Sequence, residues 1–480
     1  MIDHIHELAY IARQLEPDQA QRQRLLDQVV AYSQEYLNGI ASSPANFPNQ
    51  DGRGLYDSPI SEDGIPIDKA LALLKENVDQ SGIAPTSGRF MGYIPGGALF
   101  PSALGDYLAA VANRYAGYYF AAPGAVRMEN MLVSWMADIT GYPATAAGNL
   151  TSGGSLANLL AIVTARDTRG ISGDKIGRSV IYLTEHTHHC IDKAIHVTGL
   201  NGTIKRQVPV DTRYRLDAAA LRRVIAADRA AGLNPFLVIA SAGTTNTGSV
   251  DPLPDIADIA AQNDCWLHCD AAYGGFFILT PEGRQILTGL NLSDSLVMDP
   301  HKTLFLPYGT GALLVKDGAK LYESQNWDAD YMQDAHDKLD ELSPAELSPE
   351  LTKHFRGLRL WLPLKLFGVA PFRAALSEKI HLARYFHQKL QESAGFEVGP
   401  EPDLSVVTYR YRPPRGDAEA FNQQLIKKIQ QDGRLYFSST QLDGRFTLRL
   451  AISSFRTHLE HIDEALDVLQ STAHHLLQNS

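Results

Sequence analysis

Residues 265–303 read CWLHCDAAYGGFFILTPEGRQILTGLNLSDSLVMDPHKT, and this stretch decides the fold. It opens and closes on two short apolar runs, CWLHC (265–269) and SLVMD (295–299). Runs of that length, bounded by small and polar residues, predict strands rather than helices. The first runs into Asp270 and the second into Pro300, His301 and Lys302. Asp270 and Lys302 lie 32 positions apart. That is about one strand–helix–strand unit of roughly 30 residues, so the two strand ends are expected side by side.

Outward from this stretch the pattern repeats. SVIYL (179–183), FLVIAS (236–241) and GALLV (311–315) are further strand candidates, and LRRVIAADRAAG (221–232) and LPDIADIAAQND (253–264) read as helices between them. Strand and helix in alternation predict an α/β fold: a large, mostly parallel sheet with helices on both faces. Residues 18–40 have helical spacing, with Leu25, Val29, Tyr32 and Leu37 on one face, and suggest a packing arm. The acidic, Pro-broken run at 324–350 has little to bury and is expected to be a mobile loop. From about 376 a smaller α+β unit is expected. It contains a strand at TYRYR, a helix closed by Gly433, strands RLYFSS and RFTLRLAI joined at Asp443-Gly444, and a last helix with a Thr457–Glu460 capping box. The division is thus 1–95, an N-terminal helical dimerisation arm; 96–375, a large ligand-binding domain; and 376–480, the small domain.

Composition excludes some classes. The formal net charge of −11 opposes binding to nucleic acid or to an anionic membrane surface. No stretch reaches the ~18 apolar residues of a membrane span. MIDHIHELAY lacks a basic start and a long apolar run, so no secretory signal is expected. Three cysteines, Cys190, Cys265 and Cys269, make no disulfide framework and favour the cytoplasm.

The chemistry gathers where strands end, because ligands of open α/β sheets bind beyond the carboxyl ends of the strands. Desolvation there lowers an amine's pKa and makes Lys302 a nucleophile toward an aldehyde; alone, it also reads as a surface lysine. Asp270 is placed to face a pyridine nitrogen, or merely to cap the next loop. Ala271, Ala272, Gly274 and Gly275 after it leave room for a flat ring. In TSGGSLANLLAI (151–162), Gly153 and Gly154 let the backbone approach a ligand and Ser155 opens a helix whose N-terminus suits a phosphate, though plain capping also explains them. Of His186, His188, His189 and Cys190, a histidine stacking on a flat ring is favoured over a metal site, since side chains of neighbours on a strand point apart. No metal is expected.

Together these segments resemble the group II pyridoxal-phosphate (PLP) decarboxylases, the family of aromatic-L-amino-acid, histidine, glutamate and cysteine-sulfinate decarboxylases. DPHKTLFLPYGTGALLVKDG (299–318) is similar to its lysine motif and WLHCDAAYGG (266–275) to its aspartate motif. The resemblance runs from about Arg89 onward and is strongest to the aromatic-acid branch. It implies the aspartate-aminotransferase-type fold (fold type I), a homodimer, PLP as cofactor and an L-amino acid as substrate. By match, Lys302 carries the cofactor as a Schiff base, Asp270 pairs with its ring nitrogen and His188 stacks on the ring. Gly154 and Ser155 hold the phosphate, Thr245 and Ala272 line the cofactor, and His301 helps anchor it. Tyr93 and Pro95 in MGYIPGG approach the substrate, while Gly96 stands where aromatic-acid members often carry a threonine. Tyr331, in DADYMQD, is the implied proton donor to the substrate α-carbon; Arg356 and Arg449 are implied to be supporting groups. Transamination, an aldehyde synthase, action on 2,4-diaminobutyrate or an acidic amino acid, and an inactive PLP-binding partner subunit are the alternatives.

Overall fold

The computed structural model describes residues 1–327 and 341–478. Its centre is a sheet of seven strands: β1 (Ala147–Thr151), β2 (Ser179–Leu183), β3 (Ile204–Gln207), β4 (Asn234–Ser241), β5 (Trp266–Asp270), β6 (Ser295–Met298) and β7 (Gly311–Val315). Their order is β1-β7-β6-β5-β4-β2-β3. Only β7 runs against the rest, pairing antiparallel with both β1 and β6. The carboxyl ends of β1, β2, β4, β5 and β6 therefore open on one edge. Helices cover both faces, so strands such as β2 and β5 are buried at every position.

The five strand candidates are all present. β1 and β3 were not legible: AGNLT carries Gly and Asn, and IKRQ alternates half-buried with exposed as an edge strand does.

The C-terminal unit is a four-stranded antiparallel sheet. Its strands are β8 (Phe396–Val398), β9 (Val406–Tyr411), β10 (Ser438–Leu442) and β11 (Arg445–Ala451), in the order β8-β9-β11-β10. Asp443 and Gly444 both take positive φ, 51° and 70°, and close the two-residue hairpin between Leu442 and Arg445. The expected strand RLYFSS begins only at Ser438. The long helix Ala370–Gln391 passes through the expected 375/376 boundary. Its first half (Phe372, Leu376, Ile380) packs in the large core and its second half (Leu382, Phe386, Leu390) in the small one.

The last helix is Leu459–Gln478, so the expected cap Thr457 stands two positions before its first residue. Thr457 donates its hydroxyl to the Gly88 carbonyl instead, and the His461 ring accepts from the His458 N–H. Ile462, Leu466 and Leu469 form its buried stripe, whereas Leu459 stays 48% exposed. The acidic run also departs from expectation where it is described. Ser343 and Glu346 form a reciprocal capping box, and Ser343, Leu347 and Ser348 are buried. A sequence poor in large apolar residues packs here because its caps satisfy the backbone. Of the described residues, no helix is long and apolar enough to cross a membrane. The three cysteines are unpaired and buried.

Candidate active site

Beyond the carboxyl edge of the large sheet lies a cavity of about 360 Å³. β1 delivers Ser152, Gly153 and Gly154; β2 delivers His186 and His188; β4 delivers Ser241, Gly243, Thr244 and Thr245; β5 delivers Asp270 and Ala272; β6 delivers Asp299, His301 and Lys302. Gly154, Ser155, His188, Thr245, Asp270, Ala272, His301 and Lys302, all expected to hold the cofactor, line this one cavity.

Lys302 corrects one expectation. Burial pushes its amine down, but Asp299 Oδ2 at 3.2 Å, together with Asp270, outweighs burial and leaves the pKa raised. The amine is a held ammonium in the free site rather than a depressed nucleophile. His188 behaves oppositely: burial, then His189 and Lys302, keep it below the ordinary value against the pull of Asp270. Its Nδ1 accepts from the Cys190 N–H at 3.3 Å, which leaves Nε2 to carry the proton of the neutral ring. His188 and His189 do not point apart. They sit in the turn before the helix Cys190–Val197, not on a strand, and their ring centroids are 4.2 Å apart. His301 Nδ1 donates to the Thr310 carbonyl at 2.6 Å, and its pKa is lowered chiefly by burial.

Asp270 ends β5 with one oxygen accepting from the Ala272 N–H at 3.1 Å and the other from Asn158 Nδ2 at 3.2 Å. A Cβ on Gly154 would lie 2.7 Å from Asp299 Oδ2, so only glycine lets the first turn of the helix Gly154–Thr168 approach. Among the described residues, both ring nitrogens of the buried His186, and Asp299 Oδ1, lack a hydrogen-bond partner. Unpaired buried polar atoms around such a space mark a site built for a polar ligand. A primary amine, a carboxylate on the opposite wall, a helix N-terminus with adjacent glycines and an imidazole fit PLP.

Tyr93 and Pro95 are not brought into the cavity. Tyr93 is 56% exposed and lies against Tyr436, with ring centroids 6.1 Å apart, and its carbonyl accepts from Arg449 at 3.1 Å. The link to the site is Gly96. A Cβ there would lie 2.3 Å from the His301 carbonyl oxygen, so the segment rests directly on the backbone that carries Lys302. Arg356 pairs with Glu350 through both terminal nitrogens, at 3.3 and 3.2 Å. Tyr331 lies outside the described residues. Asn158, His268 and Asp299 were missed. The signal for His268 was present: it sits two positions before Asp270, hence on the same face of the strand.

Comparison with known proteins agrees with this geometry. The family described as "Pyridoxal-dependent decarboxylase conserved domain" matches residues 57–412. The chain is 32% identical over 446 residues to an aromatic-L-amino-acid decarboxylase of Bacillus atrophaeus, covering 92% of each. It is 28% identical to a phenylacetaldehyde synthase of Petunia hybrida, covering 96% of this chain and 95% of that one. The solved structure of Oryza sativa TDC with PLP and tryptamine superposes with a TM-score of 0.90 at 26% identity, covering 96% and 99%. The chain thus belongs to the pyridoxal-dependent decarboxylase family, and it is a PLP-dependent carboxy-lyase of fold type I acting on an amino acid.

Proposed function

We propose that the enzyme converts an aromatic L-amino acid to its amine and carbon dioxide. The observation that carries the reading is the convergence of Lys302, Asp270 and His188 on one cavity. The aromatic class rests on relatives: the Bacillus atrophaeus enzyme above, and a tryptophan decarboxylase of Oryza sativa that is 30% identical over 401 residues. When bound, the cofactor supplies a sink for the electron pair left on the α-carbon. Lys302 would hold it through its side-chain amine. Asp270 would face its ring nitrogen as a hydrogen-bond acceptor, and His188 would lie against the ring. Gly154 and Ser155 receive the phosphate at the helix N-terminus, flanked by His301, with Thr245 and Ala272 lining the ring. Tyr331 returns a proton to the α-carbon; this assignment rests on the likeness of DADYMQD to the family's catalytic loop.

Two further features belong to this reading. The helices Ile2–Ala12 and Gln19–Gly39 bury no residue, and Ile2, Ile5, Leu8, Ile11, Leu15, Leu25 and Val29 are all exposed. Such an apolar face suits a second copy of the chain, which supports a homodimer with 1–95 as its arm, 96–375 as the cofactor domain and 376–480 as the small domain. Unpaired cysteines support a cytoplasmic location.

The likeness to phenylacetaldehyde synthase favours a second reading, in which carbon dioxide leaves, molecular oxygen takes two electrons from the α-carbon and becomes hydrogen peroxide, and water releases the aldehyde and ammonia. Assaying amine, aldehyde and peroxide together over all L-amino acids separates the two. Amine from an aromatic acid alone is expected; turnover confined to acidic or diamino acids would sink the aromatic assignment. Tyr331→Phe is expected to keep carbon dioxide release while amine gives way to aldehyde.

A further inference from the structure

Behind Asp270 runs a chain of buried hydrogen bonds that reaches no solvent. Trp266 Nε1 donates to Ser295 Oγ at 2.8 Å, and Ser295 Oγ lies 2.8 Å from His268 Nδ1. His268 Nε2 lies 2.7 Å from Asn158 Oδ1, and Asn158 Nδ2 lies 3.2 Å from Asp270 Oδ2. Trp266 and Asn158 are each 1% exposed, and His268 and Ser295 are 0% exposed.

Chemistry fixes the direction of every bond. An indole N–H only donates, and a carboxylate only accepts. Turning the Asn158 amide over would set its oxygen against a carboxylate oxygen, two acceptors face to face. The NH₂ therefore faces Asp270, and the oxygen must be met by a proton on His268 Nε2. Nδ1 of that neutral ring then accepts from the Ser295 hydroxyl, which accepts in turn from Trp266. The same NH₂ also reaches Cys190 Sγ at 3.4 Å. The chain spans three elements: the helix Gly154–Thr168, β5 and β6. Because every link is buried, any break leaves a donor or acceptor unmet.

We propose that Asn158 is the positioning residue for Asp270, and that the one-way chain from Trp266 through Ser295 and His268 locks its amide so that Asp270 is held as an acceptor for the cofactor's ring nitrogen. This rests on Asp270 as the partner of that nitrogen. In this reading the effect of Asn158 passes through the Asp270 carboxylate.

The test is equilibrium binding of PLP to the apoenzyme, read by visible absorbance, with the unfolding midpoint of each apoprotein measured alongside. Asn158→Leu keeps the size but donates nothing; PLP is expected to bind at least about tenfold more weakly with a displaced visible band. Asn158→Thr keeps one donor and one acceptor and is expected to return affinity to within about threefold of the parent. Ser295→Ala releases the His268 tautomer from a site remote from the cofactor; weakening of about threefold or more is expected, and this variant decides the matter if Asn158→Leu does not fold. Parental affinity and spectrum in Asn158→Leu, or in Ser295→Ala in that case, would overturn the proposal. Asp270→Asn is the reference: if it too leaves affinity and spectrum unchanged, it is the role of Asp270 that fails. If it alters them while Asn158→Leu does not, only the chain fails.

Discussion

Lys302 Nζ lies 3.2 Å from Asp299 Oδ2, a carboxylate only 1% exposed. Condensation with an aldehyde needs the free amine, so Asp299 works against it by holding the ammonium. Asp299→Asn keeps the shape and removes the charge. The pH midpoint for covalent attachment of PLP to the apoenzyme is expected to fall by about one unit or more. Rapid-mixing absorbance from pH 6 to 10 measures it. An unmoved midpoint would show that the ion pair does not control the amine.

Gly96 makes a steric prediction. With 2.3 Å between a Cβ and the His301 carbonyl oxygen, Gly96→Ala must displace either its own segment or the Pro300–Thr303 turn. Overpacking of this kind costs about 1–3 kcal/mol. A thermal midpoint lower by several degrees is expected, with turnover down by about tenfold or more because Lys302 moves with the turn. An unchanged midpoint and rate would mean that the contact yields freely. The threonine that aromatic-acid relatives often carry here has no room on this backbone.

Asp270→Asn tests the charge opposite Lys302. The single amide oxygen can accept from Asn158 or from the Ala272 N–H but not from both, so one of these two bonds is lost as well. Also lost is the negative charge proposed to face the ring nitrogen. Turnover is expected to fall roughly 100-fold or more, with partial retention of cofactor. Steady-state rates on protein of known PLP content check this; a rate near the parent's would reduce Asp270 to a loop cap.

Where the sequence was legible and where it was not has a physical pattern. Fully buried strands such as SVIYL and FLVIAS announce themselves by continuous apolar content. Gly154, Asp270 and Lys302 were legible because small or charged residues interrupt that content at a strand end. AGNLT was hidden because an apolar run is not what makes it a strand; its partner β7 does. The direction of β7 was equally hidden, since GALLV reads the same either way. Tyr93 misled because a tyrosine in a loop does not say which way it turns; here positive φ, 51°, sets it toward Tyr436. The pKa of Lys302 was misjudged because desolvation was visible in the apolar context whereas the contact with Asp299 arises only in three dimensions. Asn158 was lost among the apolar residues of its helix.

The buried histidines predict how stability depends on pH. Burial depresses His268 to about 4, against the pull of Asp270 and of the Ser295 backbone. In the unfolded chain a histidine titrates near 6.5, so between pH 6.5 and about 4 the unfolded state binds the proton and the folded state does not. Stability therefore rises with pH across that window and is lost as pH falls through it, by at most about 3 kcal/mol for this residue. His186, His188 and His301 are lowered by burial and act in the same sense. Asp251 acts in the opposite sense. Burial raises its carboxyl to about 6, so its contribution is present below the unfolded value of 3.8 and fades as pH rises toward 6. The parent apoenzyme, unfolded in urea from pH 4.5 to 7, is expected to gain stability with pH because the lowered histidines outnumber the two raised acids, Asp251 and Asp294. His268→Gln should flatten the rise and Asp251→Asn should steepen it. If His268→Gln leaves the slope as it was, the ring is not held neutral in the fold, and the one-way hydrogen-bond chain through it loses its middle link.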